Sequence, residues 1–254
     1  MDLSLNKQKY LTSLHQKKTR EEEGVFIAEG IKVINDLVKF GFIPQLIAYD
    51  PGVWDLKDFG QAHAFCDYYT LTKVQAEKIS LLSTPAGVLA VFPKPEYSIN
   101  WKAVIKKPVF IFENINDPGN LGTIIRTAHW YGIHDIFITR GSVEVFSPKV
   151  VQASMGSLAA VKVHSLGSEQ IIENLQSLGV HIYVTDMDGL NIHITKPQIP
   201  YCVVFGNESN GVSDSFKKIA KDTLTITASD HENRPESLNL SVSTAIFMDL
   251  LTRS

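Results

Sequence analysis

Short apolar runs alternate with stretches of helical periodicity along nearly the whole chain. In the first part Val25-Phe26-Ile27-Ala28 precedes a 3.6-residue pattern, Ile31, Val33, Ile34, Leu37 and Val38, closed by Gly41. The strand-like Leu46-Ile47-Ala48-Tyr49 follows, and the alternation continues to Val88-Leu89-Ala90-Val91. A second series starts with Val109-Phe110-Ile111-Phe112 and continues through a helix after Gly122, the run Ile136-Phe137-Ile138 and a helix near 150–160. Runs of four or five apolar residues separated by amphipathic helices are the mark of parallel strands buried on both faces. The pattern predicts an α/β architecture with a mostly parallel sheet.

Between the two series lies Phe92-Pro93-Lys94-Pro95-Glu96, whose prolines interrupt both periodicities. We therefore expect a domain over 1–96, a linker over 97–107 and a second domain over 108–254. The 254 residues suffice for two modest cores, and 44% hydrophobic against 20% charged residues is an ordinary globular composition. No run approaches the ~18 apolar residues of a membrane span, and the polar start lacks a secretory signal's apolar core. A cytoplasmic protein with no membrane partner is expected. Cys66 and Cys202 stand alone in apolar runs, so neither a disulfide framework nor a bound metal is expected.

A net charge of −3 argues against global electrostatic attachment to a polyanion. Locally, Lys7, Lys9, His15, Lys17, Lys18 and Arg20 occur without an acidic residue among them, and Tyr10, Leu11 and Leu14 follow helical spacing. This reads as one basic amphipathic helix. It is either a solvated face balanced by Glu21, Glu22 and Glu23, or a phosphate-contacting surface.

In open α/β sheets ligands bind beyond the carboxyl ends of the strands, so the polar residues that follow each run carry the candidate chemistry. Three clusters qualify. After Phe112 comes Glu113-Asn114-Ile115-Asn116-Asp117-Pro118-Gly119-Asn120, then a helix bearing Arg126. Asn120 is a candidate cap, and Arg126 could reach back with a fork of donors suited to phosphate or carboxylate. The plain alternative is a turn, a cap and a surface arginine. No Gly-Lys-Ser/Thr follows, and the spacing of Gly119 and Gly122 is not the dinucleotide fingerprint. After Phe205 comes Gly206-Asn207-Glu208-Ser209-Asn210-Gly211-Val212-Ser213. Glu208 is either a solvated turn carboxylate or a group that orients a cation, and Asn207 excludes a hydrolase elbow at Ser209, which needs glycine two residues earlier. The third cluster, Pro235-Glu236-Ser237-Leu238-Asn239, precedes a final helix; one of Ser237 and Asn239 caps it and the other is free for a ligand.

In this order and spacing the clusters resemble the three motifs of the SpoU/TrmH branch of the SPOUT RNA methyltransferases, over essentially all of 108–254. The first part resembles, through its basic helix and Phe26-Ile27-Ala28-Glu29-Gly30, the family's N-terminal substrate-binding domain, with a small α/β ribosomal-protein-like fold. The resemblance implies transfer of a methyl group from S-adenosylmethionine to a ribose 2′-hydroxyl of RNA, ribosomal RNA above all, by a homodimer whose catalytic domain holds a trefoil knot. It assigns catalysis to Asn120, Arg126, Glu208, Ser237 and Asn239, and RNA contact to Lys7, Lys9, Lys17, Lys18 and Arg20. Cofactor binding falls to Thr185 and Asp186, to Phe205, Gly206 and Asn207, and to Ile226 and Leu238. The sequence departs from the family where Ile226 is followed by Thr227 and Ala228 rather than Pro-Met, in a longer loop in which Asp230, His231 and Arg234 could shape the rim or touch RNA. A non-catalytic RNA-binding or assembly protein and a methyltransferase acting on a tRNA ribose or a base nitrogen are the alternatives. The intact set of five residues disfavours the first, and Ser237-Leu238-Asn239 favours ribose over base.

Overall fold

A computed structural model describes residues 1–55, 57–58, 66–229 and 235–253. They divide into two compact units, Met1–Glu96 with Glu144–Ala160, and Tyr97–Val143 with Val161–Ser254. One limit of these units falls after Glu96. Residues 97–107 fold onto the second unit, with Trp101 stacked on Phe137 at 4.8 Å between ring centroids. The excursion 144–160 lies between two strands of the second sheet in sequence yet belongs to the first unit.

The first unit has a four-stranded sheet of order β1-β4-β2-β3, formed by β1 (Val25–Glu29), β2 (Leu46–Tyr49), β3 (Asp67–Thr70) and β4 (Val88–Pro93). Only β2 and β3 pair in parallel. Alternation along β1 gives each face its own core. Val25 and Ile27 join Leu11, Leu14, Leu46, Leu89 and Val91 on one side, while Phe26 on the other meets Phe92, Phe42 and Phe146. Phe146 comes from the excursion and explains why that segment docks here. Gly156 is part of the same docking: a Cβ there would lie 2.3 Å from the Asp36 Cβ, and its φ of 81° suits glycine.

The second unit is a six-stranded sheet of order β10-β8-β9-β5-β6-β7 with every pair parallel. Its strands are β5 (Val109–Phe112), β6 (Asp135–Thr139), β7 (Lys162–Leu166), β8 (His181–Asn191), β9 (Tyr201–Phe205) and β10 (Asp222–Thr225). Val109 and Ile111 face a core with Ile171, Leu175 and Phe216, whereas Phe112 stacks on Phe205, which meets Phe247 edge-on. On that face α10 (Leu240–Thr252) packs against α6 (Pro118–Trp130). From β5 the chain adds β6 and β7 outward on one side, then returns to build β8 and β9 on the other. Neighbouring β5 and β9 therefore send their connections apart, and such a switch point opens a crevice at the strands' carboxyl ends. Strand β8 runs on past its buried start, Ile182–Val184, to Asn191 beside β10, across a register shift at Thr223/Leu224.

At the amino end of β6, Asp135 Oδ1 lies 2.8 Å from Nε2 of the buried His164. An ionised carboxylate has no proton to give, so the imidazole donates. This bond holds the Asp135 carboxyl below its ordinary range. A depressed folded-state pKa stabilises the protein above the unfolded value of about 4 and ceases to do so as pH falls through the folded value. Asp135→Asn should cost about 1 kcal/mol at pH 7. The gap from wild type should close below about pH 4, as read by denaturant unfolding at a series of pH values.

Candidate functional site

The loop after β5 and the loop after β9 meet across the switch point and are tied by their own polar groups. Asn114 takes a left-handed φ of 51°. Its N–H donates to Thr139 Oγ1 at 2.8 Å, and its carbonyl accepts from Asn207 Nδ2 at 2.8 Å. Asn207 Oδ1 in turn accepts from the Ser209 N–H at 2.9 Å, and Asn207 and Gly211 exchange backbone hydrogen bonds that close the loop. Gly206 lies under this closure, where a Cβ would come within 2.0 Å of the Gly211 carbonyl carbon. The buried Glu113 accepts from the Ser213 N–H at 2.7 Å and pins the far end. Neither Glu113 nor Thr139 stands out in the sequence, because a strand-end carboxylate or hydroxyl has no local signature. Their partners are 100 and 25 residues away.

Helix α6 starts at Pro118 rather than after Gly122, and its cap is Asp117, which accepts from the Asn120 N–H at 2.7 Å. The Asp-Pro pair is the readable signal, an N-cap followed by proline at the first helical position. Asn120 is thus not the cap, and its side chain is available. Its Nδ2 donates to Glu208 Oε1 at 2.7 Å, and its Oδ1 accepts from Asn239 Nδ2 at 3.0 Å. Asn239, one of the two expected caps, does cap α10: its Oδ1 accepts from Ser241 N at 2.9 Å, Ser241 Oγ at 2.6 Å and Val242 N at 3.4 Å. Three of the five candidate catalytic residues, one from each cluster, thereby form one chain, Glu208–Asn120–Asn239.

The other two stand apart. Arg126 is exposed and makes no hydrogen bond or ion pair among the described residues, so it does not reach back over the helix start. Six residues beyond Asn120, it lies about 9 Å along the axis and about 120° around it. Ser237 is exposed and has no side-chain hydrogen bond among the described residues.

The expected cofactor residues border the same edge. Thr185 Oγ1 donates to the Val204 carbonyl at 3.3 Å. Asp186 pairs with Lys217 at 3.0 Å and accepts from the Met187 N–H; these donors hold its carboxyl below the usual range. Phe205 is fully buried, so only its backbone can meet a ligand. Ile226 is half-buried and Leu238 is 47% exposed, an apolar side chain left uncovered beside the polar chain. Asp230, His231 and Arg234 lie outside the described residues.

The basic window is two helices, α1 (Leu5–Ser13) and α2 (Lys17–Glu22), not one. Arg20 is not a free surface cation: only 3% of it is exposed. It donates to the Leu14 and His15 carbonyls and pairs with Glu144, which also binds Lys94. Lys7 Nζ lies over the Tyr10 and Tyr69 rings at 5.4 and 5.3 Å. Lys17 and Lys18 are exposed and pair weakly with Glu21 and Glu22, and Lys9 is exposed without an ion pair among the described residues.

The profile of the SpoU rRNA methylase family matches residues 107–249, and that of the MRM3-like substrate binding domain matches residues 6–90. The human protein "rRNA methyltransferase 3, mitochondrial" is 29% identical over 191 residues, 71% of this chain, but the chain spans only 44% of that protein's length. The Bacillus subtilis 23S rRNA (guanosine(2553)-2′-O)-methyltransferase RlmP is 25% identical, over 92% of this chain and 91% of its own. Among solved structures, a TrmH-family RNA methyltransferase from Porphyromonas gingivalis superposes with a TM-score of 0.86 at 32% identity, covering 100% of this chain and 99% of the other. An AdoMet-bound rRNA methyltransferase from Sinorhizobium meliloti gives 0.84 at 26%, covering 98% and 96%. With a family match over more than half its length, the chain belongs to the SpoU rRNA methylase family.

Proposed function

We propose that this protein transfers a methyl group from S-adenosylmethionine to a ribose 2′-hydroxyl of ribosomal RNA. The observation that carries the reading is the chain Glu208–Asn120–Asn239 at the switch point, with an unpaired arginine on the helix that bears its middle member. The relatives named for rRNA and 2′-O methylation, and the relative bound to AdoMet, support the substrate and the cofactor.

The residues present fit that cofactor. Glu208 supplies a carboxylate near a cationic sulfonium, and Leu238 and Ile226 offer apolar surface. The backbone of 205–207 and the side chains of Thr185 and Asp186 line the strand ends. When bound, S-adenosylmethionine would supply an electrophilic methyl carbon to the 2′-oxygen, with the thioether as leaving group that would retain the electron pair of the carbon–sulfur bond. The chain must orient the ribose, exclude water and stabilise charge on the attacking oxygen. A guanidinium offers a fixed fork of donors and no acceptor, so Arg126 holds the ribose and its phosphate while the hydroxyl proton passes to an anionic oxygen. Ser237 and Asn239 orient the ribose. The 2′-hydroxyl is itself what distinguishes RNA from DNA.

In this reading the active unit is a cytoplasmic homodimer with a trefoil-knotted catalytic domain. Helices α6 and α10 leave Trp130 83% and Val242 49% exposed, apolar surface for a second copy to cover. Across that contact Arg126 of one copy serves the Glu208–Asn120–Asn239 chain of the other. The first unit binds RNA through Lys7, Lys9, Lys17 and Lys18. Removing three exposed cations weakens phosphate binding and its salt dependence together. Lys9→Ala/Lys17→Ala/Lys18→Ala should lower RNA affinity about tenfold near 0.1 M salt, with S-adenosylmethionine affinity unchanged, as measured by a binding titration at several salt concentrations.

The deciding experiment offers labelled S-adenosylmethionine and ribosomal RNA lacking ribose methylation, followed by digestion to nucleosides. A labelled 2′-O-methylnucleoside is expected; a labelled base, or no transfer to naked RNA or to assembly intermediates, overturns the reading.

A further inference from the structure

We infer that Ser241 is a positioning residue that sets the direction of the side-chain amides at the site, acting through Asn239. This rests on the methyl-transfer reading for its consequence, but the geometry stands without it. An asparagine amide presents an acceptor on one side and donors on the other, and the two orientations are nearly isosteric. At Asn239 the choice is fixed from below. Its Oδ1 accepts from the Ser241 hydroxyl at 2.6 Å as well as from the backbone N–H groups of Ser241 and Val242. With the oxygen held toward α10, only Nδ2 can face Asn120, whose Oδ1 accepts it. Asn120 must then turn its own Nδ2 to Glu208.

The direction of every amide in the chain thus follows from the end anchored at Ser241, and the Glu208 carboxylate is fixed by the last donor. The Ser241 hydroxyl makes the shortest of the three bonds to Asn239 Oδ1, and Ser241 is only 8% exposed, so water competes poorly for it. Hydrogen bonds in such a series polarise one another, which makes the buried terminus disproportionately important. The hydroxyl touches neither the ribose nor the cofactor in this arrangement. Its role is to hold Asn239 and Asn120 in one orientation before substrate arrives.

Ser241→Ala and Ser241→Thr, each alone and with Asn239→Ala, test the inference with two readouts. The first is the side-chain NH2 signals of Asn120 and Asn239 in a 1H–15N spectrum of the full chain. In Ser241→Ala the signals of both residues should move and their amide protons should exchange faster with water, and Ser241→Thr, which keeps the hydroxyl, should restore them. The second is methyl transfer, with kcat expected to fall three- to tenfold in Ser241→Ala at nearly unchanged KM for S-adenosylmethionine. In the Asn239→Ala background Ser241→Ala should cause no additional loss of activity, because the hydroxyl then has nothing to act through. Unmoved Asn120 amide signals in Ser241→Ala overturn the inference whatever the activity. So does an equal loss with and without Asn239. An inactive wild type would count against the methyl-transfer reading alone, since the amide signals still decide the geometry.

Discussion

Arg126→Ala is expected to lower methyl transfer about a thousandfold while leaving S-adenosylmethionine affinity and unfolding stability within experimental scatter. Stability should hold because the side chain is exposed and bonds to nothing among the described residues, and such surface substitutions stay within about 0.5 kcal/mol. Activity should fall because a guanidinium on a rigid helix is a prearranged fork of donors for a phosphate and for charge growing on an attacking oxygen. Arg126→Lys should recover little, since an ammonium keeps the charge but loses the planar fork. The measurements are single-turnover transfer and a cofactor titration on the same preparations.

The position of Arg126 on α6 adds a second expectation. About 120° around the helix from Asn120, it makes no bond to the Glu208–Asn120–Asn239 chain of its own copy. In a twofold dimer it can complete the partner's. Arg126→Ala and Glu208→Ala subunits, each inactive alone, should on mixing regain about a quarter of wild-type activity: half of randomly assorted dimers are mixed, and each carries one intact site. No recovery, in a preparation shown to contain mixed dimers, would place Arg126 and Glu208 in the same copy's site.

How far the sequence carries such an argument depends on whether the relevant partner is local. The parallel sheet was legible because Val109–Phe112 and Tyr201–Phe205 are apolar without alternation, as strands buried on both faces must be. Two of the three clusters are legible because each directly follows such a strand; the third is marked by the helix it precedes. Their roles within the site are not. Asn120 reads as a candidate cap, although Asp117-Pro118 carries the stronger cap signal; what has no local trace is that the freed Asn120 amide meets Glu208 and Asn239, 88 and 119 residues away. Arg20 carries the same charge as Lys17 and Lys18, and nothing local distinguishes it; its burial follows from Glu144, 124 residues later. The excursion 144–160 was misassigned for the same reason. A helix between two strands belongs by default to their sheet, and the contacts of Phe146 and Gly156 with the first unit have no trace in periodicity.

Asn239→Asp should separate capping from chemistry. Aspartate caps a helix as well as asparagine does, and one carboxylate oxygen can still accept from Ser241 and Val242. Unfolding stability should therefore stay within about 0.5 kcal/mol of wild type, whereas Asn239→Ala, which loses the cap, should cost about 1 kcal/mol. At the other end of the side chain the change is severe. Where Nδ2 donated to Asn120 Oδ1 at 3.0 Å, a second carboxylate oxygen now faces an acceptor. Asn120 can relieve the clash by turning its NH2 toward position 239, but its own oxygen then faces Glu208 and the donor to that carboxylate is lost. Either arrangement leaves one acceptor pair opposed within the Glu208–Asn120–Asn239 chain. Added negative charge cannot restore the donor. Methyl transfer should fall about a hundredfold, the size expected when one oriented donor is lost from a preorganised site. Equal activity of Asn239→Asp and wild type in single-turnover assays, at equal stability, would show that Asn239 acts as a helix cap alone.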